Sequence, residues 1–185
     1  FPMRRKAGKD APGTINQPHL VVFGTAIPNH YYEALSERML TNGFFARMII
    51  LECGKRSPGQ EPKILALPTR VLETAKWWAD FRLGTGNLQN WHPVPRVVPH
   101  TDEAKRILIE TRLEAEEEYD RAESARDAVG TTVWGRVSEH VRKLALLYAV
   151  SENQEQPEIG RAAAEWAKRF VIHQTRRMLF MAQAY

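Results

Sequence analysis

Three long stretches of helical periodicity in the C-terminal part of the chain constrain its fold more than any other feature. Apolar residues recur at three- and four-residue intervals over about Thr101–Asp127, Val133–Val150 and Ile159–Ala182. Thr101 is a predicted N-cap, and the acidic residues that follow it suit the positive end of a helix dipole. Because a helix with one apolar face must bury that face, the sequence predicts a helical bundle.

Two short apolar runs nearer the N-terminus follow a different pattern. The first, HLVVFGTAIP over 19–28, stops at a Gly-Thr pair and a proline, and the second covers Phe45–Glu52. A helix is predicted between them over Asn29–Met39, and apolar runs of this length bounded by turn residues are typical of buried strands. We therefore expect an α+β fold that is mainly α, with two parallel edge strands of a sheet followed by a C-terminal helical bundle.

A stretch with three prolines, GKRSPGQEPKILALP over 54–68, divides the chain. It predicts a linker between a core part at 1–53 and a helical domain at 69–185, whose first helix is expected over Thr69–Leu83. The chain begins with a phenylalanine rather than a methionine, which we interpret as the start of a piece of a longer protein.

Composition narrows the class of protein. The chain has 185 residues, 43% of them hydrophobic, which is enough for a core, and it has no apolar run of about 18 residues that could cross a membrane. Its single cysteine, Cys53, fits a cytoplasmic protein, and its six histidines have no metal-ligand spacing. We expect a cytoplasmic protein that contacts no membrane and holds no metal.

Three motifs occur in order along the chain. Gly24-Thr25-Ala26-Ile27-Pro28 ends the first apolar run, and Asn42-Gly43-Phe44-Phe45-Ala46-Arg47-Met48 begins the second. The third motif lies in the helical part and consists of Arg136, Glu139, Lys143, Leu144 and Ala145.

This order resembles the C-terminal part of a RecA/AAA-type helicase ATPase, most closely the ATPase family of phage, plasmid and mobile-element primase-helicases. The chain departs from that pattern, because the phosphate loop and the magnesium-binding strand are missing. Asn42 also stands where the family has an acid, and Met48 where it has phenylalanine.

The resemblance implies a role for one residue of each motif. Thr25 would position the attacking water, Arg47 would reach the nucleotide of a neighbouring subunit, and Arg136 would contact phosphate from the lid. The edge strands would then belong to a nucleotide-binding sheet, and the helical bundle would be its lid. The chain would be a C-terminal fragment of an oligomeric ATPase, a DNA helicase or primase-helicase that replicates a mobile element. ATP and magnesium would belong to the parent protein, and the partners would be DNA and other copies in a ring.

Structural interpretations stand beside these roles. Thr25 could simply end a strand, Arg47 could face solvent or pair with an acid, and Arg136 could belong to an ion-pair ladder with Glu139 and Lys143. The tryptophans Trp77, Trp78, Trp134 and Trp166 are expected in the core rather than as platforms for nucleic-acid bases.

The alternative function is a helical DNA-binding or protein-docking module without nucleotide chemistry. Net charge is +4, and the last predicted helix is rich in basic residues, whereas 102–127 is acidic. The predicted nucleic-acid contacts are Arg169, Arg176 and Arg177.

Overall fold

The computed structural model describes residues 20–33, 39, 41, 43–51, 53–55, 57–59, 61, 65–81 and 94–184. The regular elements in these residues are all helical. They are α1 (Pro28–Glu33), a 3₁₀ turn (Phe45–Arg47), α2 (Thr69–Asp80), α3 (Asp102–Ser124), α4 (Ala128–Glu152) and α5 (Arg161–Ala184). The prediction of a mainly helical chain, with long helices in its C-terminal part, is confirmed.

The predicted edge strands are wrong, since the described residues contain no strand and no sheet. Residues 20–27 have neither helix nor strand, and the four apolar side chains Leu20–Phe23 are 77–93% exposed. The second run forms the 3₁₀ turn and then an irregular segment, 48–51. An apolar run becomes a strand only where another strand pairs with its backbone, and the second run instead packs its side chains against helices.

A tight turn joins α3 to α4. Arg126 has a left-handed φ of 56°, and the Asp127 backbone N–H donates to the Ala122 carbonyl at 2.8 Å. This is a Schellman ending for α3. Asp127 then caps α4, because its carboxylate accepts from the Gly130 N–H at 2.8 Å. A Cβ on Gly130 would collide with that carboxylate, so a larger residue there would displace the cap.

The main core lies among α3, α4 and α5. Apart from Trp134, its buried residues are small or branched, and alanines predominate on α5, which lets neighbouring helices approach closely. Trp134 of α4 is buried in this core, as predicted for it. The members are Ala104, Leu108, Ala115, Trp134, Val137, Val141, Ala145, Ala149, Ile159, Ala163, Ala164, Ala167, Val171 and Ile172.

Backbone hydrogen bonds tie the start of α3 to the start of α5. The Thr101 N–H donates to the Ile159 carbonyl at 3.0 Å, and the Ile159 N–H donates to the Pro99 carbonyl at 2.9 Å. His100 and Ile159 thereby form a single parallel β-bridge. We call these two bonds the backbone clasp. Thr101 also caps α3 as predicted, since its hydroxyl accepts from the Ala104 N–H at 3.2 Å.

A second, smaller core forms where the 3₁₀ turn meets the bundle. Phe45 is 0% exposed and packs with Val133 of α4 and Met178 of α5. Tyr31 of α1 joins the edge of this cluster, where its hydroxyl lies 3.7 Å from the sulfur of Met48. Phe45 thus anchors residues 43–50 to the bundle.

The chain divides into two compact units. One contains the described residues of Ala26–Gly59 and Val98–Tyr185, and so holds the bundle. The other contains those of Phe1–Thr25 and Gln60–Val97, including α2, which buries none of its residues. The predicted division into 1–53, a linker at 54–68 and 69–185 stays a prediction.

Candidate functional site

The exposed side of α5 carries most of the basic residues of that helix. Its members recur at three- and four-residue intervals, which places them on one side of the helix, and all of them are exposed. We call this side the α5 outer face. It comprises Trp166, Arg169, His173, Arg176, Arg177 and Phe180.

Two residues of this face, Arg169 and His173, have no ion-pair partner among the residues that the structure describes. Neither side chain makes a hydrogen bond within that part of the chain. Arg169 therefore presents its guanidinium to solvent, and an anion could reach it without first breaking an ion pair or a hydrogen bond.

The edge of α5 nearest α3 is different, because acidic residues of α3 neutralise it. Arg176 Nη2 lies 3.5 Å from Glu114 Oε1 and 3.7 Å from Glu118 Oε1. Lys168 Nζ lies 3.2 Å from Glu114 Oε2 and 3.6 Å from Glu110 Oε2. Basic residues of α5 thus neutralise part of the negative charge of α3, and Arg176 belongs to this network.

Aromatic residues mark both ends of the α5 outer face. Trp166 is 39% exposed, and its ring stacks on Phe170 with centroids 5.4 Å apart and an interplanar angle of 18°. Tyr148 of α4 supports the same ring at 5.6 Å. Phe180, at the other end, is 68% exposed. The expectation that Trp166 is a core residue is wrong, as it is for Trp78, which is also exposed.

Arg136 belongs to an ion-pair ladder on α4, as the structural interpretation predicted. Its Nη1 lies 2.8 Å from Glu139 Oε2, and Lys143 Nζ lies 2.6 Å from Glu139 Oε1. The hydrogen bonds from Lys143 and Arg136 lower the pKa of Glu139 to about 2. Whether Arg136 also contacts a nucleotide phosphate stays a prediction.

Arg47 ends the 3₁₀ turn rather than interrupting a strand. Its Nη1 donates to the Gly43 carbonyl at 2.6 Å, and this bond closes a turn in which Gly43 has a left-handed φ of 78°. The guanidinium is otherwise exposed, so it neither breaks an apolar layer nor requires a buried anion. Its role as an arginine offered to a neighbouring subunit stays a prediction.

A small recess separates Arg136 from the anchored segment. It holds about 20 Å³, room for about one water, and its wall includes Met48, Ile50, Arg136, His140 and Gln174. Burial lowers the pKa of His140, so the fold favours its neutral form. The recess is too small for a nucleotide.

The remaining predicted residue, Thr25, belongs to the other compact unit. Thr25 is exposed, and its role beside a γ-phosphate stays a prediction. The described residues contain no group of three or more His, Cys, Asp or Glu side chains that could hold a metal ion. None of the described helices is both long and apolar enough to pass through a membrane.

No protein-family model, no curated protein and no solved structure matches this chain. The function proposed below is therefore inferred from the residues and their geometry.

The sequence predicted Arg169, Arg176 and Arg177 at this face, but it placed Trp166 in the core, and Phe180 was not singled out. The signal was present in the spacing, because Trp166 precedes Arg169 by three residues and Phe180 follows Arg177 by three. Both spacings keep a residue on the same helical face.

Proposed function

We propose that the chain is a helical nucleic-acid-binding module that contacts phosphates through the α5 outer face. One observation carries the proposal: Arg169 and His173 are exposed beside Arg177, and the described residues offer the first two no counter-charge. Phosphate contacts of this kind supply most of the affinity of non-specific nucleic-acid binding. The net charge of +4 acts in the same direction.

The contacts of Arg47 and Arg136 favour a DNA-binding module over direct participation in ATP hydrolysis. The guanidinium of Arg47 donates within its own turn, and that of Arg136 donates to Glu139, so both have partners inside the chain. Membership of a larger oligomeric helicase ATPase, which the resemblance implies, is compatible with a DNA-binding helical part and stays a prediction.

The test is the salt dependence of binding to fluorescein-labelled 20-nucleotide DNA, both single-stranded and duplex, measured by fluorescence anisotropy. Each phosphate contact contributes about 0.7 to 0.9 to the slope of log K against log salt. Arg169→Gln should therefore flatten the slope by close to that amount for the form that binds.

Arg112→Gln is the matched control, because Arg112 is a similarly exposed arginine on α3 that pairs with Glu116 at 2.8 Å. It should leave the slope unchanged. Arg176→Gln should have an intermediate effect, since Glu114 and Glu118 already offset part of its charge. Equal effects of Arg169→Gln and Arg112→Gln, or no binding of either DNA at low salt, would refute the proposal.

A further inference from the structure

The α5 outer face combines the two kinds of side chain with which proteins bind single-stranded nucleic acid. Cations lie in its middle, and an exposed aromatic ring lies at each end, Trp166 and Phe180. Proteins that bind single strands use positive charge to follow the backbone and aromatic rings to stack the bases. Bases inside a duplex are already stacked on each other and cannot use such rings.

We propose that the α5 outer face binds single-stranded nucleic acid, with one base stacked on Trp166 and another on Phe180. This inference rests on the proposed function and adds the form of nucleic acid and the two base-stacking sites. Phosphates between the two stacked bases lie over Arg169 and His173.

The geometry of the Trp166 side chain suits a stacking platform. Phe170 stacks on the indole and Tyr148 also contacts it, so the ring is held in place while Trp166 stays 39% exposed. A ring fixed before binding loses little rotamer entropy when a base arrives.

The separation of the rings sets the expected footprint. Trp166 and Phe180 are 14 positions apart on one continuous helix, which is about 21 Å at 1.5 Å per residue. At the 3.4 Å spacing of one strand in a duplex, this distance corresponds to about six nucleotides. A more extended strand would cover it with fewer, so the footprint is about six nucleotides at most.

The experiment uses the complete chain, fluorescein-labelled oligothymidylates of 4, 8 and 20 nucleotides, and a 20-base-pair duplex. The 8- and 20-nucleotide strands should bind more tightly than the duplex. Phe180→Ala should weaken single-strand binding about 5- to 150-fold, the range that corresponds to loss of one stacked base. Leu113→Ala, a change at an exposed apolar residue of α3, is the control and should leave binding unaltered.

Trp166 needs a conservative change, because alanine would also remove its packing on Tyr148 and Phe170. Trp166→Phe keeps an aromatic ring, so it should retain the fold and weaken single-strand binding less than Phe180→Ala does. Tryptophan emission supplies a second readout. Oligothymidylate should quench part of the emission of the unmodified chain, and Trp166→Phe should lose that quenching.

The possible failures are distinguishable. If the duplex binds as tightly as the single strand, and neither Phe180→Ala nor Trp166→Phe alters binding while Arg169→Gln still does, base stacking is refuted and the proposed function survives. If neither form of DNA binds at low salt, both proposals are refuted.

Discussion

Phe45→Ala tests whether the 43–50 segment is anchored to the bundle by a single side chain. Phe45 is 0% exposed and lies against Val133 and Met178. Buried phenylalanine-to-alanine changes cost about 3–5 kcal/mol of unfolding free energy. We expect the lower end, about 3 kcal/mol, because the neighbouring recess of about 20 Å³ shows that packing here is not closed on every side and can relax.

Phe44→Ala is the matched control, since Phe44 is the adjacent residue of the same type and is 49% exposed. Phe44→Ala should cost about 1 kcal/mol of unfolding free energy, because only about half of the Phe44 side chain is buried. The assay is urea unfolding followed by circular dichroism at 222 nm. With a slope of about 2 kcal/mol per molar urea, Phe45→Ala should lower the midpoint by about 1.5 M and Phe44→Ala by about 0.5 M. Equal shifts for the two variants would refute the anchoring role of Phe45.

Two further predictions concern the same region. Burial lowers the pKa of His140, with Glu139 opposing the shift and Lys143 and Arg136 adding to it, so the unfolded chain binds more protons than the folded one as pH falls below about 6.5. The free energy of unfolding should therefore be greatest above that pH and decline below it. Between about pH 7.5 and 5, the urea midpoint should fall less for His140→Gln than for the unmodified chain. Identical declines would contradict this prediction. Gly43→Ala should cost about 1–3 kcal/mol, because φ is 78° and a Cβ would lie 2.8 Å from Arg47 Nη1. Gly54→Ala, which meets nothing within 4 Å, should change stability by less than about 0.5 kcal/mol in the same titration, and a comparable loss would contradict the strain at Gly43.

The helices were predictable because their signals are local. Periodicity located α3, α4 and α5, and Thr101 marked the first residue before α3. The start of α4 was placed five residues late, at Val133 instead of Ala128. The stretch Gly130-Thr131-Thr132 explains this error, because its composition is typical of a loop. In the structure it lies near the start of α4, which Asp127 caps.

The strand prediction failed for a reason that spacing cannot reveal. A short apolar run has no periodicity that separates a buried strand from any other buried segment. Phe45 packs on Val133 and Met178, which lie far away along the chain, so its environment depends on how the bundle assembles.

The candidate site shows the same division between local and long-range signals. The ladder from Arg136 through Glu139 to Lys143 follows from spacing on one helix. The pairing of Arg176 with Glu114 and Glu118 connects two helices, and it depends on their relative register, which the sequence does not specify.

The backbone clasp has a consequence for which insertions and deletions the chain can accept. The clasp holds the first residues of α3 and α5 side by side, so residues at similar distances from the two helix starts face each other. Glu118 lies 16 positions after the first residue of α3, and its partner Arg176 lies 15 positions after the first residue of α5. One residue added between the clasp and either helix would turn that helix by about 100° and separate the glutamates from their basic partners. Residues added to the loop at 153–157, between α4 and the clasp, would leave this alignment intact. Length variation among homologous sequences should therefore concentrate in that loop and avoid the positions next to His100 and Ile159.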